Sequence, residues 1–182
     1  MMGTIALTKE LYFTTTTVID WLDIFTRPIY KHIVVESLAY CQEQKGLDIY
    51  AWVLMTNHLH MIVGTNKSDI RLPDILRDFK KYTNKKILTA IESNPQESRK
   101  EWILDRCWFA GNNDRKIKNY RFWQDGNHVE KLYTYELYKQ KLNYIHTNPV
   151  RQEIVEQPED YLYSSARNYA GIKGLLPVIV AQ

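Results

Sequence analysis

The chain has 182 residues, 45% of them hydrophobic and 25% charged, with 24 lysines and arginines against 21 aspartates and glutamates, a formal net charge of +3. That is the length of one domain with one sizeable core, and the composition is that of an ordinary soluble protein. No apolar run approaches the roughly 18 residues of a membrane span, two isolated cysteines (Cys41 and Cys107) make neither a disulfide framework nor a metal motif, and the mild positive charge permits nucleic-acid binding without requiring it.

The first ten residues lack a charged segment followed by an apolar one, so no signal peptide is expected, and the cysteine usage fits a reducing cytoplasm. Residues 11–18, Leu-Tyr-Phe-Thr-Thr-Thr-Thr-Val, are β-branched and aromatic and predict a strand. A helix is expected from Arg27 or Pro28 to about Lys45, with Pro28 in its first turn, Gly46 at its stop, and a stripe of Tyr30, Ile33, Val34, Leu38 and Cys41. Strands follow over 47–55 and 58–64, joined by Thr56-Asn57. A second helix is predicted from near Ser68 or Asp69 to about Ile91, buried along Leu72, Ile75, Leu76, Phe79 and Thr83. Residues 92–119, with Pro95, Gly111 and two adjacent asparagines, read as an irregular insertion. Residues 120–129 predict a fourth strand bent near Gly126, with Phe122 and Trp123 more core-like than exposed. A helix from about Thr134 to Asn148 carries the stripe Tyr138, Leu142 and Ile145, and Pro149 is expected to end it by pushing Asn148 out of the α region. Residues 150–182 read as a wrapped tail with a short helix.

The order β-α-β-β-α-β followed by an added helix predicts an α+β chain of the ferredoxin-like split β-α-β kind. In it a four-stranded antiparallel sheet carries its helices on one face, a C-terminal helix and tail are appended, and the whole forms one domain over 1–182. The third strand is then central.

That strand begins, just after Asn57, with His58-Leu-His-Met. Side chains two apart on a strand share a face, so His58 and His60 project together and could hold one divalent ion. A His-x-His strand also occurs as a polar face with no ligand role. In the last long helix Tyr144 and Asn148, four apart, stand one above the other and offer a phenol and an amide oxygen to one point. His146 falls off that row, and His32 and His128 carry no motif. Arg77-Asp-Phe-Lys-Lys-Tyr-Thr-Asn-Lys-Lys86 holds five basic residues and one acidic one. Arg77, Lys80 and Lys81 could grip phosphates with Tyr82 near a base, or the segment could be a solvated helix face. Arg151 is a further phosphate candidate.

A His-hydrophobic-His strand followed by a helix with Tyr-x-x-x-Asn before Pro-Val resembles the HUH single-tyrosine transposases, and within them the REP-associated tyrosine transposases. The resemblance runs from about Tyr12 to Tyr169. It rests on Met55-Thr-Asn-His-Leu-His60, Asp78-Phe-Lys-Lys-Tyr-Thr83, Phe122-Trp-Gln124, Asn143-Tyr-Ile-His-Thr-Asn-Pro-Val-Arg151 and Pro158-Glu-Asp-Tyr-Leu-Tyr-Ser-Ser165. It implies the same ferredoxin-like fold, Tyr144 as nucleophile, and His58, His60 and Asn148 as ligands of Mg²⁺ or Mn²⁺. It also implies a 5′-phosphotyrosine exchanged with a 3′-OH without ATP, in keeping with the absence of a G-x-x-x-x-G-K-[S/T] loop. The implied partner is single-stranded DNA carrying a hairpin repeat, and the implied setting is the bacterial cytoplasm at the nucleoid, as a monomer or homodimer. A non-catalytic nucleic-acid-binding module, a metal-dependent hydrolase, and a replication initiator or relaxase are the alternatives.

Overall fold

The structure, a computed structural model, describes residues 6–66, 69–112 and 120–180. The expectation for the first five residues, the helix start at Ser68 and the end of the 92–119 segment lie outside them. Among the described residues these strands and α-helices follow one another: β1 (Ala6–Thr17), α1 (Pro28–Lys45), β2 (Leu47–Leu54), β3 (His58–Thr65), α2 (Leu72–Ser93), α3 (Lys100–Asn112), β4 (His128–Thr134), α4 (Tyr135–Arg151) and α5 (Ala166–Tyr169). Short 3-10 turns occupy Ile19–Trp21 and Pro158–Asp160. The sheet order is β2-β3-β1-β4 with every pairing antiparallel, so the expected ferredoxin-like arrangement is present and β3 is an inner strand.

Local sequence explains the borders. Pro28 opens α1, where its missing N–H costs nothing, and Gly46 closes it in the left-handed region at φ 70°. The β2–β3 hairpin is tied by Met55 N–H donating to His58 O at 2.8 Å. Pairing of β3 with β1 sets His60 opposite Thr15 and Met61 opposite Thr14. One face of the sheet therefore carries His58, His60, Thr15 and Phe13, and the other carries Tyr12, Thr14 and Met61. Helix α2 lies on the second face, where Leu72, Leu76 and Lys80 share a cleft with Tyr12 and Val129. Helix α4 lies on the first, with Tyr144 against His60 and Phe13.

Three elements differ from expectation. The segment read as an irregular insertion contains α3. Its buried residues Ile103, Cys107 and Gly111 recur every four positions, a stripe that the surrounding asparagines and charges obscured. The fourth strand starts at His128, not at residue 120. Phe122 and Trp123 are core side chains (0% and 4% exposed), joined to the sheet only through a bridge between Val18 and Trp123. The Lys80 ammonium takes the carbonyls of Gln124 and Gly126, at 2.7 and 2.8 Å, that a ladder would have used. Helix α4 runs through Pro149 to Arg151. Proline removes one helical hydrogen bond and disfavours, without forbidding, α geometry before it; here Asn148 and Pro149 are both buried, and that packing offsets the cost.

Tyr163 O accepts from Leu54 N–H, Ser165 N–H donates to Trp52 O and Ile179 N–H donates to Ile49 O, each at 2.9 Å, so the tail closes the outer edge of β2. Among the described residues no helix is long and apolar enough to cross a membrane. Cys41 and Cys107 are free and buried, and burial pushes their thiols up to about 11 and about 12, which makes them poor nucleophiles.

Candidate active site

On the α4 face of the sheet a cavity of about 440 Å³ is lined by Thr15, Trp21, His58, His60, Tyr144, Asn148, Arg151 and Gln152. Two periodicities meet there. Strand β3 supplies the histidines at i and i+2, and α4 supplies Tyr144, Asn148 and Arg151 at i, i+4 and i+7. The imidazole rings of His58 and His60 are 4.5 Å apart between centroids, and the His60 ring is 5.2 Å from that of Tyr144. Phe13 stacks on His60 at 5.4 Å and meets Tyr144 edge-on at 6.1 Å, so one apolar ring sets the spacing of both. The Arg151 guanidinium sits 5.8 Å from the centre of the Tyr144 ring.

The protonation of the pair follows from its partners. Asn57 Nδ2 donates to Trp21 O at 3.2 Å and to Asp23 Oδ1 at 3.0 Å, which turns Asn57 Oδ1 towards His58 Nδ1 at 2.6 Å. An amide oxygen only accepts, so His58 carries its proton on Nδ1 and keeps a lone pair on Nε2. His60 Nδ1 contacts Thr15 Oγ1 at 2.8 Å, and a donating Nδ1 leaves Nε2 free there too. Burial lowers the pKa of both rings. That of His60 falls to about 3, burial being reinforced by the neighbouring His58, Lys141 and His128; for His58 nearby Asp23 opposes the shift. Both imidazoles are therefore neutral at ordinary pH, the state a metal ligand needs.

Asn148 is 6% exposed and, among the described residues, no hydrogen bond engages its side-chain amide. The residue is buried but lines the cavity, so its amide oxygen is available there to a cation. No cluster of three or more His, Cys, Asp or Glu able to hold a metal occurs among the described residues. Two imidazoles and one amide oxygen are thus the donor set present, a mixed nitrogen and oxygen set suited to Mn²⁺ or Mg²⁺. Tyr144 is 37% exposed, and its hydroxyl has no hydrogen-bond partner among the described residues.

The structure brings together His58, His60, Tyr144, Asn148 and Arg151. It places the α2 residues elsewhere. Arg77 is committed to Asp74 at 2.7 Å and Asp78 at 3.3 Å, and Lys80 to the two carbonyls already named, with burial pushing its ammonium down to about 8. Lys81 and Tyr82 are exposed on the helix behind the sheet. His146 bonds Ser165 Oγ at 2.9 Å and faces Tyr169, away from any ligand role. Trp21 and Gln152 carry no functional signal in the sequence, and Thr15 and Asn57 read there only as a strand residue and a connecting residue. Thr15 could be found only from its pairing with His60, and Trp21 carries no local signal at all. His128 stands in register with Thr15, which puts it, exposed, on the site's own face.

No family model and no curated protein sequence matches the chain. Among solved structures, one similar to it is a REP-associated tyrosine transposase bound to a REP hairpin, with a TM-score of 0.60 and 17% identity over 100% of this chain and 93% of that one. Another, with a TM-score of 0.46 and 14% identity over 80% of this chain and 92% of the other, is a Deinococcus radiodurans R1 protein assigned as a transposase. The fold of this chain is that of the first of these two structures.

Proposed function

We propose that the chain is a metal-dependent single-strand DNA endonuclease and strand transferase of the transposase kind, with Tyr144 as its nucleophile and hairpin-bearing single-stranded DNA as its partner. The observation that supports it best is the convergence of His58, His60, Tyr144 and Asn148 on one cavity. The DNA-bound transposase that shares the fold supports the choice of partner.

In this reading Tyr144 Oη attacks the scissile phosphorus, the bond to the 3′ oxygen breaks, and the leaving oxygen takes up a proton as a free 3′-OH. The 5′ side stays on the protein as a phosphotyrosine. Attack by the 3′-OH of another strand reverses the step and restores the phenol, so one ester replaces another and no ATP is consumed. Arg151, at the cavity rim and beside the Tyr144 ring, places a permanent positive charge near the phosphate. His58, His60 and Asn148 would hold a divalent ion, which supplies Lewis-acid polarisation of the phosphate oxygen. The carboxylate-free ligand set leaves that charge undiminished.

The test is incubation with pooled single-stranded oligonucleotides and Mn²⁺, followed by mass spectrometry of tryptic peptides. A nucleotide mass on the Tyr144 peptide is the expected result. Tyr144→Phe should abolish both adduct and cleavage. Its fold should be kept to within about 0.5 kcal/mol, because the lost hydroxyl is partly exposed and engages no partner. DNA binding without any adduct in the native protein would establish a non-catalytic binding module instead.

A further inference from the structure

The Ile19–Trp21 turn has no role in the chemistry above, yet it holds an unusual conformation. Asp20 and Trp21 are both left-handed, at φ 50° and φ 55°, without a glycine between them. A bulky residue seldom adopts this geometry, and it persists only where surrounding contacts impose it. Those contacts are present. Asp20 accepts a two-pronged bond from Arg106 of α3, its Nε at 2.7 Å. Trp21 O accepts from Asn57, the residue that also fixes His58. The result is an indole 59% exposed to solvent and edge-on to His58 at 6.1 Å between ring centroids.

Trp21 is also the wall between two spaces. On one side is the cavity with Tyr144. On the other is a groove of about 400 Å³ shared with Trp102, itself 51% exposed, and with Arg99 and Arg106. Both arginines are occupied, Arg106 by Asp20 and Arg99 by Asp23 O at 3.0 Å, and Asp20 and Asp23 themselves line the groove. The groove therefore has little charge to spend on phosphates. What it offers is two exposed indoles, and aromatic faces bind unpaired bases whatever their sequence.

We propose that Trp21 is the stacking platform for the base next to the phosphate that Tyr144 attacks, and that the single strand leaves the cavity across Trp21 towards Trp102. This rests on the function proposed above. Stacking here would hold the flanking nucleotide against a wall hydrogen-bonded to the same asparagine as His58, which sets the phosphate relative to the site. In that case the strained turn is the means by which a rigid ring is presented.

The experiment uses the full chain carrying Tyr144→Phe, so that binding is read without cleavage. A fluorescent (dT)12 and an abasic 12-mer with the same phosphates are titrated with it in the presence of Mn²⁺. Trp21→Ala should weaken (dT)12 binding by roughly 5- to 150-fold, the range for one lost base–aromatic stack. It should bind the abasic oligomer as the Trp21 protein does, and Trp21→Phe should recover most of the loss. Trp21→Gly relaxes the left-handed backbone and should show the same selective loss with an unchanged or higher Tm, so it carries the comparison if the alanine variant folds poorly. Equal losses on both oligomers, or unchanged (dT)12 binding, overturn the inference and leave the proposed function standing. Failure of the Trp21 protein to bind either oligomer overturns the inference alone, because neither oligomer carries the hairpin that the proposed function calls for.

Discussion

At the scale of single residues, the candidate site is defined by what each polar atom lacks. His58 and His60 have their Nδ1 atoms engaged by Asn57 and Thr15, and among the described residues no hydrogen bond engages the Asn148 amide, so the free donors of three side chains are left for one cavity. If they hold one ion, they are not equal. Each imidazole is fixed by a neighbouring hydrogen bond and cannot be replaced by water without loss of that orientation, whereas the neutral oxygen of Asn148 can. His58→Ala and His60→Ala are therefore expected to abolish Mn²⁺-dependent cleavage at every metal concentration. Asn148→Ala should weaken Mn²⁺ affinity and recover part of its cleavage at high Mn²⁺. A titration of cleavage against Mn²⁺ for the three variants separates these outcomes. Wild-type behaviour of Asn148→Ala would show that the third ligand lies elsewhere.

At the scale of elements, the segment between α2 and α3 is anchored by a carboxylate rather than left loose. Glu97 is 4% exposed and accepts from Arg27 Nε at 2.9 Å, the Tyr30 hydroxyl at 3.2 Å and the Arg99 backbone N–H at 3.3 Å. Burial acts to raise its pKa, but the Arg99 N–H and the Arg27 guanidinium outweigh it and hold the carboxyl below its ordinary value of 4.5. A carboxyl with a lowered pKa in the folded state binds fewer protons there than in the unfolded chain. Its contribution to stability is thus full above about pH 4.5 and is lost as the pH falls through the lower, folded value. Glu97→Gln should cost about 2 kcal/mol at pH 7, from charge-assisted bonds lost and a guanidinium left unpaired. It should also flatten the acid limb of the stability curve. Urea unfolding of both proteins from pH 7 to pH 3 measures the two effects, and parallel acid limbs would remove Glu97 from the account. The same scale explains α4. Because the helix continues past Pro149, Arg151 stands seven residues after Tyr144 and reaches the site, a placement that a helix ending at Asn148 would not give.

At the scale of the whole molecule, the sheet is a partition. The cavity lies on the α4 face, while the basic segment of α2 lies behind the sheet, and a single strand touching both would have to pass around an edge. Two of the quoted motifs prove to be fastenings of α2 to the stretch before β4. Trp123 Nε1 donates to Thr83 Oγ1 at 2.9 Å, Phe122 N–H donates to Asn84 Oδ1 at 2.7 Å, and Lys80 grips the carbonyls of Gln124 and Gly126. Lys80→Ala should accordingly lower stability by roughly 1.5–3 kcal/mol in thermal or urea unfolding, through two lost charge-assisted bonds. Lys81→Ala should leave stability within about 0.5 kcal/mol. If α2 contacts DNA, Lys81→Ala should also reduce the salt dependence of single-strand binding by roughly 0.7 in log-log slope. An unchanged slope identifies that face as solvated.

The parts of this protein that a sequence determines by itself are those governed by short periods. The period of two on β3 puts His58 and His60 on one face, and the period of 3.6 on α4 puts Asn148 over Tyr144, whatever else the chain does. The α1 borders at Pro28 and Gly46, and the order of the strands and of the helices other than α3, were legible from equally local signals. Tertiary structure alone decided the rest. It set Thr15 opposite His60, carried α4 through Pro149, left Phe122 and Trp123 outside the β4 ladder, and sent the α2 cations to the far face. It also brought Trp21 to the histidines. Several of these depend on contacts between residues far apart in the chain, such as Trp21 with Asn57 at a separation of 36 and Thr15 with His60 at 45. The free energy of such contacts comes from register and burial, which leave no trace in any local pattern.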